Sequence, residues 1–102
     1  MNTYGEVITL EEAIEFTHTF QENNPDSIKA YTVSKDKLML ILEQEDCKGI
    51  RIYNGTDGNS SKNNLVLVGV DSTGEDMTEG VILEDLSICP PHCPKKSVLI
   101  KI

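Results

Sequence analysis

Basic residues are scarce in this sequence. Its 102 residues include nine Lys and Arg against seventeen Asp and Glu, which gives a formal net charge of −8 at pH 7. No Lys or Arg lies between Asn63 and Pro94, and the acids of that stretch fall within Asp71–Asp85. Because a surface of this sign repels phosphate groups, we expect the protein to bind neither nucleic acid nor an anionic membrane surface. The acidic segment itself is expected to be solvated surface.

Long apolar runs and an export signal are also missing. No apolar stretch approaches the roughly 18 residues of a membrane span, and Met1–Leu10 lacks the basic start and apolar core of a secretory signal. We therefore predict a cytoplasmic protein. There are three cysteines, and an odd count in a chain that can build its own core does not indicate a disulfide scaffold.

The motifs of common catalytic sites are absent. The sequence contains no Gly-x-Ser-x-Gly, no phosphate-binding loop and no His-Glu-x-x-His. His18 is expected on the solvent side of a helix, and Lys62 occupies the position at which a calcium loop needs glycine. One weak candidate for a hard cation combines acids and a hydroxyl, namely Asp71, Thr73, Glu75 and Asp76. Carboxylates that converge in a cleft stay an open alternative, but we favour a non-enzymatic protein.

Two helices are predicted from their caps and their apolar spacing. Thr9 and Glu12 have the spacing of a capping box and predict a helix over Leu10–Glu22. Its expected buried stripe consists of Leu10, Ala13, Ile14, Thr17 and Phe20. Ser34 is the expected N-cap of a second helix over Lys35–Gln44. The apolar run in its middle, residues 38–42, is also compatible with a buried strand, and helix-forming composition favours the helix.

Strands are predicted where the apolar period changes to two. Ile50–Tyr53 and Leu65–Val70 flank a loop of turn-forming residues and predict an antiparallel hairpin. Shorter strands are expected at Ile28–Val33 and Val81–Leu83, and a last strand at Ser97–Ile102. The sequence thus predicts an α+β protein with two helices packed on one face of a small, mainly antiparallel sheet of three to five strands.

A single compact domain over residues 1–102 is expected from the length. Leu65–Val70 is apolar on both of its faces. A domain with two helices has limited material to cover both sides of this strand, so we expect apolar surface to remain for a protein partner or for a second copy of the chain in a homodimer.

The sequence has one cluster of residues that can bind a metal. Cys89, His92 and Cys93 lie within five positions, and Cys47 is a distant fourth candidate for a tetrahedral zinc site. Cys89 and Cys93 are four positions apart, whereas a zinc knuckle usually has Cys-x₂-Cys. Two other interpretations stay open. These are a reversible disulfide between Cys89 and Cys93, and a plain proline-rich turn without metal, which we favour.

Three segments, Cys47–Tyr53, Leu65–Asp71 and Cys89–Pro94, together resemble a group of small bacterial proteins of Bacteroidota type with a C-terminal Cys-Pro-Pro turn. The resemblance covers about Ser34 to Leu99. It implies a bacterial origin and one compact domain, and it transfers no functional residue.

The function favoured by the sequence is that of a non-enzymatic protein-interaction module, including self-association. This interpretation rests on the expected apolar surface and on the absence of catalytic motifs. The alternative is a small metal-binding or thiol-redox protein that uses Cys89, His92 and Cys93.

Overall fold

The computed structural model describes residues 3–101, which form two helices and five strands. The predicted α+β class is confirmed. The strands lie in two sheets, one of two strands and one of three. In chain order the elements are α1 (Leu10–Asn23), β1 (Ala30–Thr32), α2 (Lys35–Leu42), β2 (Cys47–Tyr53), β3 (Val66–Asp71), β4 (Ile82–Leu83) and β5 (Ser87–Cys89).

The backbone divides into two compact units. The first unit is Thr32–Leu86, and the second combines residues 3–31 with residues 87–101. The expectation of a single domain stays a prediction. Neither helix within residues 3–101 has the length and apolar content needed to cross a membrane.

The first unit contains the three-stranded sheet, in the order β2-β3-β4 with both pairings antiparallel. In the β2-β3 ladder Ile52 lies opposite Leu67 and Arg51 lies opposite Val68, so the predicted hairpin is confirmed. The predicted strand at Val81–Leu83 is also confirmed, since β4 pairs with β3.

The central strand β3 is buried on both faces. Leu67 points to one face, and Val68 and Val70 point to the other, because successive side chains alternate along a strand. Each of these three side chains is no more than 4% exposed. The expectation that this strand leaves an apolar face for a partner is therefore wrong, since a single chain covers both faces.

Helix α2 begins and packs as its sequence indicates. The Ser34 side chain accepts a hydrogen bond from the Lys37 amide at the start of the helix, and Ile41 is fully buried. The helical interpretation of residues 38–42 is therefore confirmed over the strand. The helix ends at Leu42, two residues before the predicted end, because the chain turns at Gln44, whose carbonyl accepts from the Cys47 amide.

Helix α1, in the second unit, begins with the predicted capping box. The Thr9 hydroxyl accepts from the Glu12 amide, and the Glu12 carboxylate in turn accepts from Thr9. The predicted buried stripe is only partly right, because Leu10 and Phe20 are exposed. The buried residue of this helix is the polar Gln21.

The C-terminal segment of the second unit does not form the predicted strand. Ser97 begins a turn in which its carbonyl accepts from the Ile100 amide at 3.3 Å, and Ile102 lies outside the described residues. Side chains of α1 bond the backbone of this segment in place of a neighbouring strand. The Gln21 amide donates to the Leu99 carbonyl at 3.0 Å and accepts from the Lys101 amide at 2.8 Å.

Candidate functional site

The predicted cysteine cluster begins at the end of β5. Cys89 is the last residue of this strand and is buried. Its sulfur is bonded to that of Cys93, and the two Cα atoms are 4.7 Å apart. This finding corrects the expectation of a plain proline-rich turn, because four residues of separation allow the two thiols to meet.

Backbone hydrogen bonds hold this turn on both sides. The Cys89 carbonyl accepts from the Lys29 amide at 2.7 Å, and the His92 amide donates to the Ile88 carbonyl at 2.9 Å. The His92 side chain is exposed, and Cys93 is half-buried. A reagent in solution therefore reaches the Cys93 sulfur more readily than the buried Cys89 sulfur.

Cys47 is a free thiol in the first unit, at the start of β2. Its Sγ donates to the Gly49 carbonyl at 3.3 Å. Within residues 3–101 no three His, Cys, Asp or Glu side chains are gathered as a metal site. A sulfur in a disulfide is not a thiolate ligand, so zinc binding by Cys89, His92 and Cys93 stays a prediction for the reduced chain only.

The structure also shows a polar cluster that the sequence did not indicate. Arg51 and Tyr53 lie two positions apart on β2 and therefore on one face of the sheet. Both donate hydrogen bonds to the carboxylate of Asp76, and Arg51 also donates to the Gly74 carbonyl at 3.3 Å. Tyr53 and Arg51 lie 23 and 25 positions before Asp76 in the sequence, so no local motif predicts these hydrogen bonds.

The electrostatics of this cluster follow from those hydrogen bonds. The Tyr53 hydroxyl, and next the Arg51 guanidinium, lower the pKa of Asp76 below its ordinary value. The same contact with Asp76 raises the pKa of Tyr53 and that of Arg51. The cluster thus holds a stable carboxylate against two donors. It contains no nucleophile with a neighbouring base, and we assign it to the structure of the sheet.

The predicted cation ligands have other partners in the structure. One Asp71 carboxylate oxygen accepts from the Thr73 hydroxyl at 2.6 Å and from the Thr73 and Glu75 amides. These bonds, first that of the hydroxyl, lower the pKa of Asp71. Asp76 belongs to the Arg51 cluster. The two carboxylates therefore organise a turn and a sheet face.

Exposed aromatic side chains on α1 form a surface that the apolar spacing of the sequence does not indicate. Phe16 and Phe20, the two phenylalanines of the chain, are 64% and 46% exposed. Residues four positions apart are neighbours on one side of a helix, so the two side chains form one pair, which we call the phenylalanine pair. The apolar spacing of α1 predicts Phe20 in the core, which is wrong, and it gives Phe16 no role.

No family model matches this chain, and neither a curated protein nor a solved structure matches it at a significant level. The resemblance to small bacterial proteins therefore stays a prediction that rests on the three segments quoted above.

Proposed function

We propose that this protein is a non-enzymatic interaction module that binds another protein through α1. The observation that carries the proposal is the exposure of the phenylalanine pair. Phenylalanine, like tyrosine and tryptophan, is enriched at protein interfaces relative to the rest of the surface.

The energetic argument follows from the area involved. A phenylalanine side chain buries on the order of 150–250 Å² when it is fully covered. Phe16 and Phe20 keep about half of that area in contact with solvent. At about 25 cal/mol per Å² of apolar surface, covering both side chains contributes roughly 4 to 6 kcal/mol before the costs of association.

The sequence-based expectations about the protein's partners and its location in the cell belong to this proposal. The net charge of −8 opposes binding to nucleic acid and to anionic membranes. We propose a bacterial, cytoplasmic protein. In a reducing cytoplasm the Cys89–Cys93 bond is expected to be open much of the time.

The proposal is tested with matched baits. Immobilised wild-type protein is compared with a Phe16→Ser, Phe20→Ser double variant and with a control, Leu40→Ser, Ile52→Ser, that removes exposed apolar side chains from the first unit. We expect to recover proteins that bind the wild type and the control but not the double variant. The complex is then reconstituted from the purified partner and the wild-type protein. Equal binding to all three baits contradicts the proposal, provided that circular dichroism shows the same fold for each.

A second candidate function is thiol-disulfide exchange, which the Cys89–Cys93 bond favours. An external thiolate would attack the more exposed Cys93 sulfur, and the S–S bond would break with its electron pair on Cys89. A second thiol of the same dithiol reductant would then release Cys93, so that two electrons and two protons leave the reductant. The products are two protein thiols and an oxidised dithiol.

The redox candidate is tested by equilibrating the protein in glutathione buffers and measuring its thiols by mass spectrometry. A midpoint close to that of the cytoplasmic thiol pool supports exchange. A bond that stays oxidised below about −300 mV is structural and removes this candidate. Cys47→Ser serves as background, because it leaves the cysteine pair as the source of the signal.

A further inference from the structure

We propose that Cys93 is a modification site at which an acidic low-molecular-weight thiol, of the glutathione class, forms a mixed disulfide with this protein. This inference rests on the second candidate function, thiol-disulfide exchange at Cys93, and adds the chemical class of the thiol. It depends on the access to the two cysteines and on the charges that follow Cys93 in the sequence.

The two cysteines of the disulfide differ in their access to solvent. Cys89 is 3% exposed, whereas Cys93 is half-buried. A thiolate attacks one sulfur of a disulfide, and the rate depends on whether it can reach that sulfur. The incoming thiol therefore bonds to Cys93, and Cys89 is the leaving group.

The segment that carries the disulfide is basic, in contrast to the chain as a whole. Residues 87–101 of the second unit contain three lysines and neither Asp nor Glu, although the net charge of the chain is −8. Lys101 forms an ion pair with Glu22 at 3.0 Å. Lys95 and Lys96 are exposed and form no ion pair among the described residues. Their charges are therefore available to attract an anion.

These two lysines lie close to Cys93 along the chain. They follow it by two and three positions, and the backbone of three residues spans at most about 11 Å when it is fully extended. This length is close to the Debye length of about 10 Å at 0.1 M salt, and salt largely screens any carboxylate that lies farther away. The two ammonium groups therefore raise the local concentration of an anionic thiol at Cys93.

The complete exchange consumes two molecules of a monothiol. The first thiolate bonds to the Cys93 sulfur, and the S–S bond breaks with its electron pair on Cys89, which takes up a proton. The mixed disulfide at Cys93 lasts until a second thiolate attacks the sulfur of the bound thiol and releases Cys93, which also takes up a proton. The protein gains two electrons, and the two thiol molecules leave as their disulfide.

Trapping experiments identify the modified cysteine. Cys89→Ser and Cys93→Ser are each made in the Cys47→Ser background, so that one thiol remains, and are incubated with oxidised glutathione. The remaining thiolate attacks one glutathione sulfur, and the other glutathione leaves as a thiolate. By mass spectrometry Cys89→Ser should form the mixed disulfide more than about tenfold faster than Cys93→Ser, because its thiol is the accessible one. Acid quenching of the wild-type reaction with reduced glutathione, followed by peptide mapping, gives the same assignment without a substitution.

Three thiols with the same two-carbon chain measure the charge preference. Mercaptoethanesulfonate, mercaptoethanol and cysteamine end in a negative, a neutral and a positive group. At about 0.1 M NaCl, and per unit of thiolate, the sulfonate should open the wild-type disulfide about two- to fivefold faster than cysteamine. The preference should disappear at about 1 M NaCl, where the Debye length is only about 3 Å.

Matched variants locate the charges that are responsible. Lys95→Gln, Lys96→Gln should abolish the preference for the sulfonate. The control Lys35→Gln, Lys37→Gln makes the same change of net charge at exposed residues of the first unit and should retain the preference.

Three outcomes overturn the inference. A mixed disulfide that forms first on Cys89 excludes Cys93 as the site. Faster opening of the wild-type bond by cysteamine excludes an acidic thiol. An equal loss of preference in both double variants shows an effect of net charge alone. In each case exchange still occurs and the second candidate function is retained, whereas a bond that none of the three thiols opens removes that function and this inference together.

Discussion

At the scale of the residue, Gln44 organises the first unit. Its side-chain amide donates to the Ile41 carbonyl at 2.9 Å and accepts from the Val81 amide at 2.8 Å. It also occupies the space beside two glycines. A Cβ on Gly80 would lie 2.0 Å from the Gln44 Oε1, and one on Gly69 would lie 3.1 Å from its Nε2. A Cβ at Gly80 would therefore have to displace the Gln44 amide that accepts from Val81, whereas at Gly69 it would be tight against Gln44, Cys47 and Met77 alike.

Substitution of Gln44 tests this role. Gln44→Ala leaves the Val81 amide without its partner, so we expect a loss of about 1 to 3 kcal/mol in the free energy of unfolding, measured with urea. Gly80→Ala should be destabilising in the wild type and much less so in the Gln44→Ala background, because the clash is then gone. Additive effects of the two substitutions would contradict this explanation, and Glu43→Ala is the control at the neighbouring exposed position.

Asp76 gives the molecule a predictable response to acid. Its pKa is lower in the folded chain than the ordinary value, first because of the Tyr53 hydroxyl and then because of Arg51. A lowered pKa in the folded state stabilises the fold above the ordinary Asp pKa of about 4, and this contribution disappears as the pH falls through the lowered value. The free energy of unfolding should therefore decrease below about pH 4.

Tyr53→Phe removes the largest cause of this shift. The pKa of Asp76, followed by the NMR signal of its carboxyl carbon, should rise towards the ordinary value, and stability should depend less on pH in the acidic range. Tyr4→Phe, which alters an exposed tyrosine of the second unit, should change neither measurement. An unchanged Asp76 titration in Tyr53→Phe would show that the hydroxyl contributes nothing.

At the scale of the element, the disulfide fixes the turn that follows β5. It closes a ring of five residues between Cys89 and Cys93, and the chain-entropy relation for so short a loop gives about 2 kcal/mol. The paired substitution Cys89→Ser, Cys93→Ser should lower the free energy of unfolding by about this amount. If the turn contained no disulfide, the same substitution would change the free energy of unfolding by little.

Reduction and metal analysis check the same element. Dithiothreitol should lower the stability of the wild type by an amount similar to that of the paired substitution, and it should leave the substituted chain unaffected. Elemental analysis of the protein as purified should find well under one zinc per chain. Stoichiometric zinc that survives dialysis would instead support the Cys89, His92 and Cys93 site.

At the scale of the whole molecule, the prediction of a single domain can be tested through the cooperativity of unfolding. The polypeptide passes between the two units twice, near Tyr31 and again after Leu86. A single domain should unfold in one two-state transition. Amides of β3 and of α1 should then share the same limiting free energy in hydrogen exchange, and urea curves from circular dichroism and tyrosine fluorescence should coincide. Two separate transitions would show that the units are independent domains.

Much of the fold was predictable because its signals are local. The capping box of Thr9 and Glu12, the Ser34 cap and the alternating residues of β2 and β3 each act over a few positions. Cap hydrogen bonds and apolar periods depend on neighbours in the sequence, and tertiary packing preserved them here. The α+β class and the hairpin followed from these local signals alone.

The tertiary structure decided what depends on distant residues. The C-terminal segment looked like a strand because its apolar residues alternate, but its backbone is bonded by Gln21, which lies 78 to 80 positions away. The same holds for the Arg51 cluster with Asp76 and for the exposure of Phe16 and Phe20. A side chain of given polarity can be buried or exposed depending on what the folded chain brings beside it, so a local pattern leaves that choice open.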